Sequence, residues 1–175
     1  MDKPEGNAIV YCEGAFNTPN GKTAHGLVRF TKRYNVLTVI DSNYAGQDAS
    51  FVLDKKEKGI PVSSSLYEAL ETSNSTNNKP THFVIGLAPD GGRLNKEARE
   101  TVKEALEYGL NVDSGLHDFL SDDKQFIRLA KEKNLQIRDV RKPVPRDKLH
   151  FFDGRIEKVG SLKIAIKSDR SHVVL

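Results

Sequence analysis

The 175-residue chain carries 27 basic and 24 acidic residues, and its apolar fraction of 37% indicates a globular protein rather than a disordered one. The small, dispersed net charge of +3 argues against nucleic acid as a partner. No apolar run approaches the roughly 20 residues that cross a bilayer, the polar first residues do not form a signal peptide, and the single cysteine, Cys12, excludes an internal disulfide. We therefore expect a cytoplasmic protein that binds neither nucleic acid nor membranes.

Short apolar runs alternate with segments of helical periodicity along the first 140 residues. The runs predict strands at residues 8–12, 36–40, 59–62, 82–86, 110–113 and 135–140. The periodic segments predict helices at 24–31, 66–71, 95–108 (capped by Asn95 and ended by Gly109) and, in one or two pieces, 116–134, with a polar loop at 73–79. The alternation predicts an α/β fold with a mostly parallel sheet and helices on both of its faces.

The pattern changes after Pro143. Residues 149–152 and 155–159 flank an Asp-Gly pair, which predicts a β-hairpin, and residues 162–166 begin another strand. We therefore expect an α/β domain over residues 1–143, followed by a hairpin and an unfinished strand over residues 144–175.

The first loop after a strand carries Gly14, Gly21, Lys22 and Thr23. Gly-Lys-Thr before a helix is typical of a phosphate-binding loop, but Phe16 stands where that motif needs glycine, and the dinucleotide pattern Gly-x-Gly-x-x-Gly is absent. Two interpretations stay open: an anion site at the helix N-terminus, or an ordinary capped loop.

His25 and Asp41 are further candidates near this loop. His25 lies three residues after Lys22, so it either faces the same site as a catalytic residue or is structural. Asp41 ends the second strand, where an acidic residue of dinucleotide-binding folds takes the ribose hydroxyls. A role as a turn or helix cap is equally compatible with its position.

Three other strands end in polar residues that should meet at one sheet edge. Gly91 and Gly92 would let a ligand approach the backbone, and Arg93 would hold a carboxylate or phosphate, unless this segment is only a flexible turn. His117 is a candidate catalytic acid or base, although its neighbour Asp118 would not face it on a helix. Arg141 either reaches the same edge or lies in a solvent-exposed segment where the chain leaves the sheet. No metal-ligand spacing is present.

Taken together, these motifs resemble the DUF1611 family, whose members were formerly labelled NAD-dependent epimerase/dehydratase and include D-glutamate N-acetyltransferases. The resemblance spans about residues 8–166 and rests on the following segments: Lys22–Leu27, Ile40–Ser42, Ala45–Gly46, Gly59–Pro61, Gly86–Leu94, Gly115–Leu120 and Asp139–Pro143. It implies a Rossmann-like domain followed by a P-loop domain. The opening Gly-Thr-Asp-x-x-x-Gly-Lys of that second domain is replaced here by Lys167-Ser-Asp169 without the Gly-Lys. We therefore expect a truncated form that is catalytically incomplete alone.

Three functions follow as hypotheses. In the first, the chain binds a small molecule at the C-terminal edge of the sheet, where Lys22, His25, Asp41, Gly91, Gly92, Arg93 and His117 line one cleft, with D-glutamate, acetyl-CoA or another nucleotide as candidate ligand or cofactor. In the second, it is a structural module that forms a homo-oligomer through the hairpin and the unfinished strand. The third, an NAD(P)-dependent oxidoreductase, is opposed by the missing glycine pattern.

Overall fold

The computed structural model describes residues 3–75, 78–148, 166–167 and 173–174. Six strands form one sheet: β1 Gly6–Tyr11, β2 Tyr34–Ile40, β3 Val62–Ser63, β4 His82–Ile85, β5 Asn111–Ser114 and β6 Ile137–Asp139. Their order is β3-β2-β1-β4-β5-β6, and each neighbouring pair is parallel. This confirms the predicted α/β fold, with an entirely parallel main sheet.

Helices cover both faces of the sheet, as predicted. They are α1 Lys22–Phe30, α2 Ala49–Asp54, α3 Leu66–Ser75, α4 Lys96–Tyr108 and α5 Lys124–Glu132. Successive residues of a strand point to opposite faces, so Val10 belongs to the buried cluster that includes α1 and α2, whereas Ile9 belongs to the cluster that includes the other three helices. Both side chains are fully buried, which explains why the strands are apolar throughout.

The structure corrects several predicted bounds. Helix α2 was not predicted, and β3 begins at Val62 instead of residue 59, because residues 58–60 donate backbone hydrogen bonds to Asp48. The predicted loop at 73–79 is partly wrong, since α3 continues to Ser75. Residues 116–119 are not helical, and β6 is shorter than the predicted 135–140.

The chain divides into two compact units, Met1–Lys142 and Pro143–Leu175. The described part of the second contains a short antiparallel pair, β7 Ile166–Lys167 and β8 Val173–Val174. The predicted hairpin at 149–159 lies outside the described residues, as does all of the predicted 162–166 strand except Ile166. The proposed role of these segments in oligomerisation therefore stays a prediction.

Replacing either of two buried serines by alanine should change the free energy of unfolding, but in opposite directions. The hydroxyl of Ser50 in α2 is buried without a hydrogen-bond partner among the described residues. We expect Ser50→Ala to leave the free energy of unfolding unchanged or to raise it by up to about 1 kcal/mol, because an unsatisfied buried hydroxyl is removed. Ser73 is equally buried but donates to the carbonyl of Ala69 at 2.7 Å, so Ser73→Ala should lower it by about 1 kcal/mol.

Urea unfolding of both variants measures the difference. Equal destabilisation by the two substitutions would contradict the assignment of Ser50 as unsatisfied.

Candidate functional site

A cleft opens at the carboxyl edge of the sheet, where β1 and β4 lie side by side. After β1 the chain continues to β2 on one side, and after β4 it continues to β5 on the other side. Such a reversal of strand order is where open parallel sheets bind ligands. The cleft measures about 360 Å³. It is lined by Tyr11, Glu13, Ala15, Asn20, Leu87, Pro89, Arg93, Asn95, Glu97 and Ala98.

Two loops form this cleft, and backbone hydrogen bonds hold them together. The N–H of Ala88 donates to the carbonyl of Asn20 at 2.7 Å, which ties the loop after β4 to the loop after β1. The N–H of Gly86 donates to Tyr11 O at 2.7 Å and continues the sheet one residue beyond β4. Backbone hydrogen bonds therefore hold the two loops of the cleft together.

The charged groups of the cleft are of both signs. Among the described residues, neither the guanidinium of Arg93 nor the carboxylate of Glu97 takes part in a hydrogen bond or an ion pair, and both residues are exposed. Glu13 differs, since its carboxylate accepts hydrogen bonds from the backbone N–H of Ser42, at 2.9 Å, and from the Ser42 hydroxyl. The cleft thus offers one cation and one carboxylate that have no protein partner within the described chain.

The first turn of α1 packs against the end of β4 and does not line the cleft. The N–H of Ala24 donates to Gly86 O at 2.9 Å, and a Cβ atom at Gly86 would lie 2.9 Å from that of Ala24. Dinucleotide-binding folds place the pyrophosphate at this helix terminus. Here Lys22 and Thr23 are exposed and are not among the residues that line the cleft.

His25 anchors the loop that precedes its helix. Its Nε2 atom is hydrogen-bonded to the carbonyl of Phe16, whose fully buried ring meets the imidazole edge-on at 5.9 Å between centroids. Gly21 lies so close that a Cβ there would approach Phe16 O to 2.6 Å and His25 Nε2 to 2.9 Å. Gly14, with φ of 68°, makes an open turn in the same loop. These contacts give His25 and Gly21 structural positions in the loop.

Asp41 is fully buried, and both of its carboxylate oxygens accept backbone hydrogen bonds. One accepts from Phe16 N at 2.8 Å and the other from Asn43 N at 2.9 Å. The structure therefore gives Asp41 the cap role that was one of its two interpretations, and the carboxylate does not reach the cleft.

A second cluster forms at the ends of β5 and β6. His117 packs on Gly92, where a Cβ would approach His117 Cδ2 to 2.8 Å, and Nε2 of His117 lies 3.0 Å from the Nη1 atom of Arg141. Asp118 pairs at 3.3 Å with Arg99 of α4, so it does not act as a partner of His117. The predicted site residues thus do not converge on one cleft: only Arg93 lines it, and His117, Gly92 and Arg141 form a separate group.

Several residues of the cleft were not singled out from the sequence. Glu13 and Asn20 lie in a loop that the strand pattern had marked, and Asn95 and Glu97 directly follow another. Their position after predicted strands was the only available signal, because their roles depend on which side chains the fold leaves unpaired.

In the described part of the chain, no group of three or more His, Cys, Asp or Glu side chains has the arrangement of a metal site. No helix within the described ranges has the length and apolar character needed to cross a membrane.

Comparison with known proteins identifies the family. Residues 42–143 match the model described as a domain of unknown function (DUF1611_N), Rossmann-like domain. The D-glutamate N-acetyltransferase of Pseudoalteromonas sp. is 39% identical over 61 residues, covering 35% of this chain and 18% of the relative. The protein of the same name from Tritonibacter scottomollicae is 33% identical over 89 residues, covering 51% of this chain and 26% of the relative.

The structural comparison agrees with the sequence comparison. A crystal structure of a DUF1611 family protein from Anabaena variabilis superposes with a TM-score of 0.67 at 28% identity, covering 78% of this chain and 37% of that protein. The matches therefore span well under half the length of each of these relatives. Because the family model covers more than half of the chain, the chain belongs to the DUF1611 family through its Rossmann-like N-terminal domain.

Proposed function

We propose that this chain is the ligand-binding, Rossmann-like half of a D-glutamate N-acetyltransferase-like protein, and that it binds an amino acid in the cleft between β1 and β4. The observation that carries the proposal is the presence of Arg93 and Glu97 in that cleft, each without a hydrogen-bond or ion-pair partner among the described residues. The cleft lies at the switch point of a parallel sheet, where ligands of this fold bind.

The charges of the cleft match those of a free amino acid. The guanidinium of Arg93 can hold a ligand carboxylate through two parallel hydrogen bonds. The carboxylate of Glu97 can accept from the ligand ammonium group. D-glutamate carries both groups, and it appears in the names of two relatives of this chain.

The size of the cleft favours an amino acid over a coenzyme. Its volume of about 360 Å³ is near the lower end of the roughly 300–1,000 Å³ that small-molecule pockets occupy. Acetyl-CoA or another nucleotide, the candidate cofactors, would therefore extend beyond it. An NAD(P)-dependent reaction is disfavoured further, because the α1 terminus packs on Gly86 and Asp41 is engaged with the backbone.

The lining of the cleft supports binding more than catalysis by this chain alone. No histidine or cysteine is among its lining residues. Burial raises the pKa of the nearby Cys12 thiol to about 12, so this side chain is protonated and a poor nucleophile at neutral pH. Acyl transfer through a covalent cysteine or histidine intermediate would then need groups that lie outside the cleft. The single reduced cysteine also supports the cytoplasmic location that we propose.

Substitution of Arg93 tests the proposal. We expect D-glutamate to bind the full chain saturably in calorimetry, and Arg93→Gln to weaken that affinity about tenfold or more, since a hydrogen bond to a charged group contributes about 1.5–3 kcal/mol. Glu97→Gln should weaken it through loss of the ammonium partner.

The matched control is Arg128→Gln, which removes the same charge from an exposed position on α5. It should leave the affinity within about twofold, because Arg128 does not line the cleft and its exposed guanidinium pairs with Glu132 at 3.6 Å. Absence of saturable D-glutamate binding, or equal affinities of the two variants, would contradict the proposed site.

A further inference from the structure

A second group of polar side chains lies outside the cleft, on the loops that follow β5 and β6. Arg141 comes two residues after the end of β6, and its Nη1 atom lies 3.0 Å from Nε2 of His117. His117 itself is held in place by the turn at Gly92, against which its ring packs. Both Arg141 and His117 are exposed to solvent.

The contact between the two side chains defines their hydrogen-bonding roles. A guanidinium has five N–H donors and no acceptor, so Nε2 of His117 must be the acceptor. The interaction therefore positions Arg141 without neutralising its charge, and it leaves the other guanidinium donors free for a ligand.

The carboxylates of these loops are engaged elsewhere. Asp118 pairs with Arg99 at 3.3 Å. Asp139 accepts from the backbone N–H groups of Leu120, at 3.1 Å, and Ser121, at 2.8 Å. Asp122 pairs with Lys142, the residue next to Arg141. Across the described parts of the chain, no carboxylate forms an ion pair with Arg141.

We propose that Arg141, positioned by His117, anchors a separate oxyanion subsite at the carboxyl ends of β5 and β6. Its planar guanidinium fork matches the geometry of a phosphate or carboxylate group, which it would bind through two parallel hydrogen bonds. His117 acts as a positioning residue, since its acceptor bond orients the fork. The ligand group is a phosphate ester or a carboxylate, two oxyanions with the same recognition chemistry.

The test is a nuclear magnetic resonance titration of the isotopically labelled full chain with inorganic phosphate, and separately with acetate, at constant ionic strength. We expect a saturable shift of the Gly92, His117 and Arg141 signals with at least one of the two probes. Saturation by phosphate alone assigns a phosphate ester as the natural ligand group, and saturation by acetate alone assigns a carboxylate.

Two glutamine variants provide the matched comparison. Arg141→Gln should weaken binding of the effective probe about tenfold or more through loss of the bidentate contact. Lys142→Gln removes the same charge from the adjacent residue, whose ammonium is already paired with Asp122, and should change the affinity less than about twofold. The absence of a saturable shift for both probes, or equal weakening by the two variants, would overturn the subsite.

The Arg93→Gln variant separates this inference from the function proposed above. It should weaken binding of D-glutamate in the β1–β4 cleft about tenfold or more and leave the oxyanion titration of the Arg141 signals unchanged. Loss of that titration in Arg93→Gln would show that the oxyanion occupies the cleft, and it would overturn the subsite as a separate one.

Discussion

Replacement of Asp113 by alanine should lower the free energy of unfolding by about 3 kcal/mol, because it removes a buried carboxylate that accepts from both the half-buried guanidinium of Arg138 and the buried hydroxyl of Tyr34. The Asp113 side chain is only 7% exposed, and it accepts two hydrogen bonds from Arg138, both at 2.7 Å. It also accepts the hydroxyl of Tyr34, whose pKa is raised by burial and by this carboxylate. The contacts join β2, β5 and β6 across one face of the sheet.

The network extends to the start of the chain through Glu5. This side chain pairs with Arg138 at 3.1 Å and with Arg33 at 2.8 Å, so one carboxylate links the segment before β1 to β6. Hydrogen bonds from these arginines lower the pKa of Glu5. Because Glu5 is exposed, solvent screens its pairs, and Glu5→Ala should cost much less than Asp113→Ala.

Urea unfolding measures the Asp113 effect, and its control is an ion pair whose carboxylate is more exposed. Arg29 and Asp54 form a similar pair at 2.6 Å, with side-chain exposures of 31% and 36%. Asp54→Ala should cost less than about 1 kcal/mol. If the two alanine variants lost equal stability, the network around Asp113 would have no greater effect than a surface pair.

Gly92→Ala should lower the free energy of unfolding by about 2–3 kcal/mol and displace the His117 ring. The φ angle of Gly92 is 64°, a left-handed conformation that costs an L-residue about 1–2 kcal/mol. The added Cβ would also lie 2.8 Å from Cδ2 and 3.2 Å from the backbone nitrogen of His117, which is closer than packed atoms tolerate.

The neighbouring glycine isolates the contribution of this contact. Gly91 has a similar φ of 75°, but a Cβ there would meet no atom within 4 Å. Gly91→Ala should therefore cost only the backbone strain, about 1–2 kcal/mol, and leave the His117 resonances in place. Equal losses of stability in urea, with unshifted His117 signals in both variants, would contradict a close contact between Gly92 and His117.

Both ends of α4 illustrate what local sequence decides. Asn95 caps the helix by accepting from Ala98 N at 2.8 Å, and Gly109 ends it with a φ of 93°, as predicted. These interactions involve residues close together in the chain, so the sequence pattern contains them. The apolar runs predicted β1, β2 and β4 for the same reason, because strands buried on both faces must be apolar throughout.

The local sequence pattern did not predict helix α2 or the start of β3. Asp48 caps α2 through Phe51 N at 2.8 Å, and its other oxygen accepts from Gly59 N at 2.8 Å and Ile60 N at 2.9 Å. One carboxylate therefore caps a six-residue helix and also holds the backbone just before β3. The contact joins residues about ten positions apart, so the pattern of apolar residues in either segment does not predict it.

The candidate site also has some features that the sequence predicts and others that only the structure shows. The order of strands and polar loops predicted a ligand site at the carboxyl edge of a parallel sheet and singled out Arg93, which lines the cleft there. The tertiary structure alone decided that Asp41 turns inward, that the start of α1 packs on Gly86 and that Arg141 joins His117. Local pattern determines which residues reach an edge, whereas the pairing of side chains there depends on contacts between loops that lie far apart in the chain.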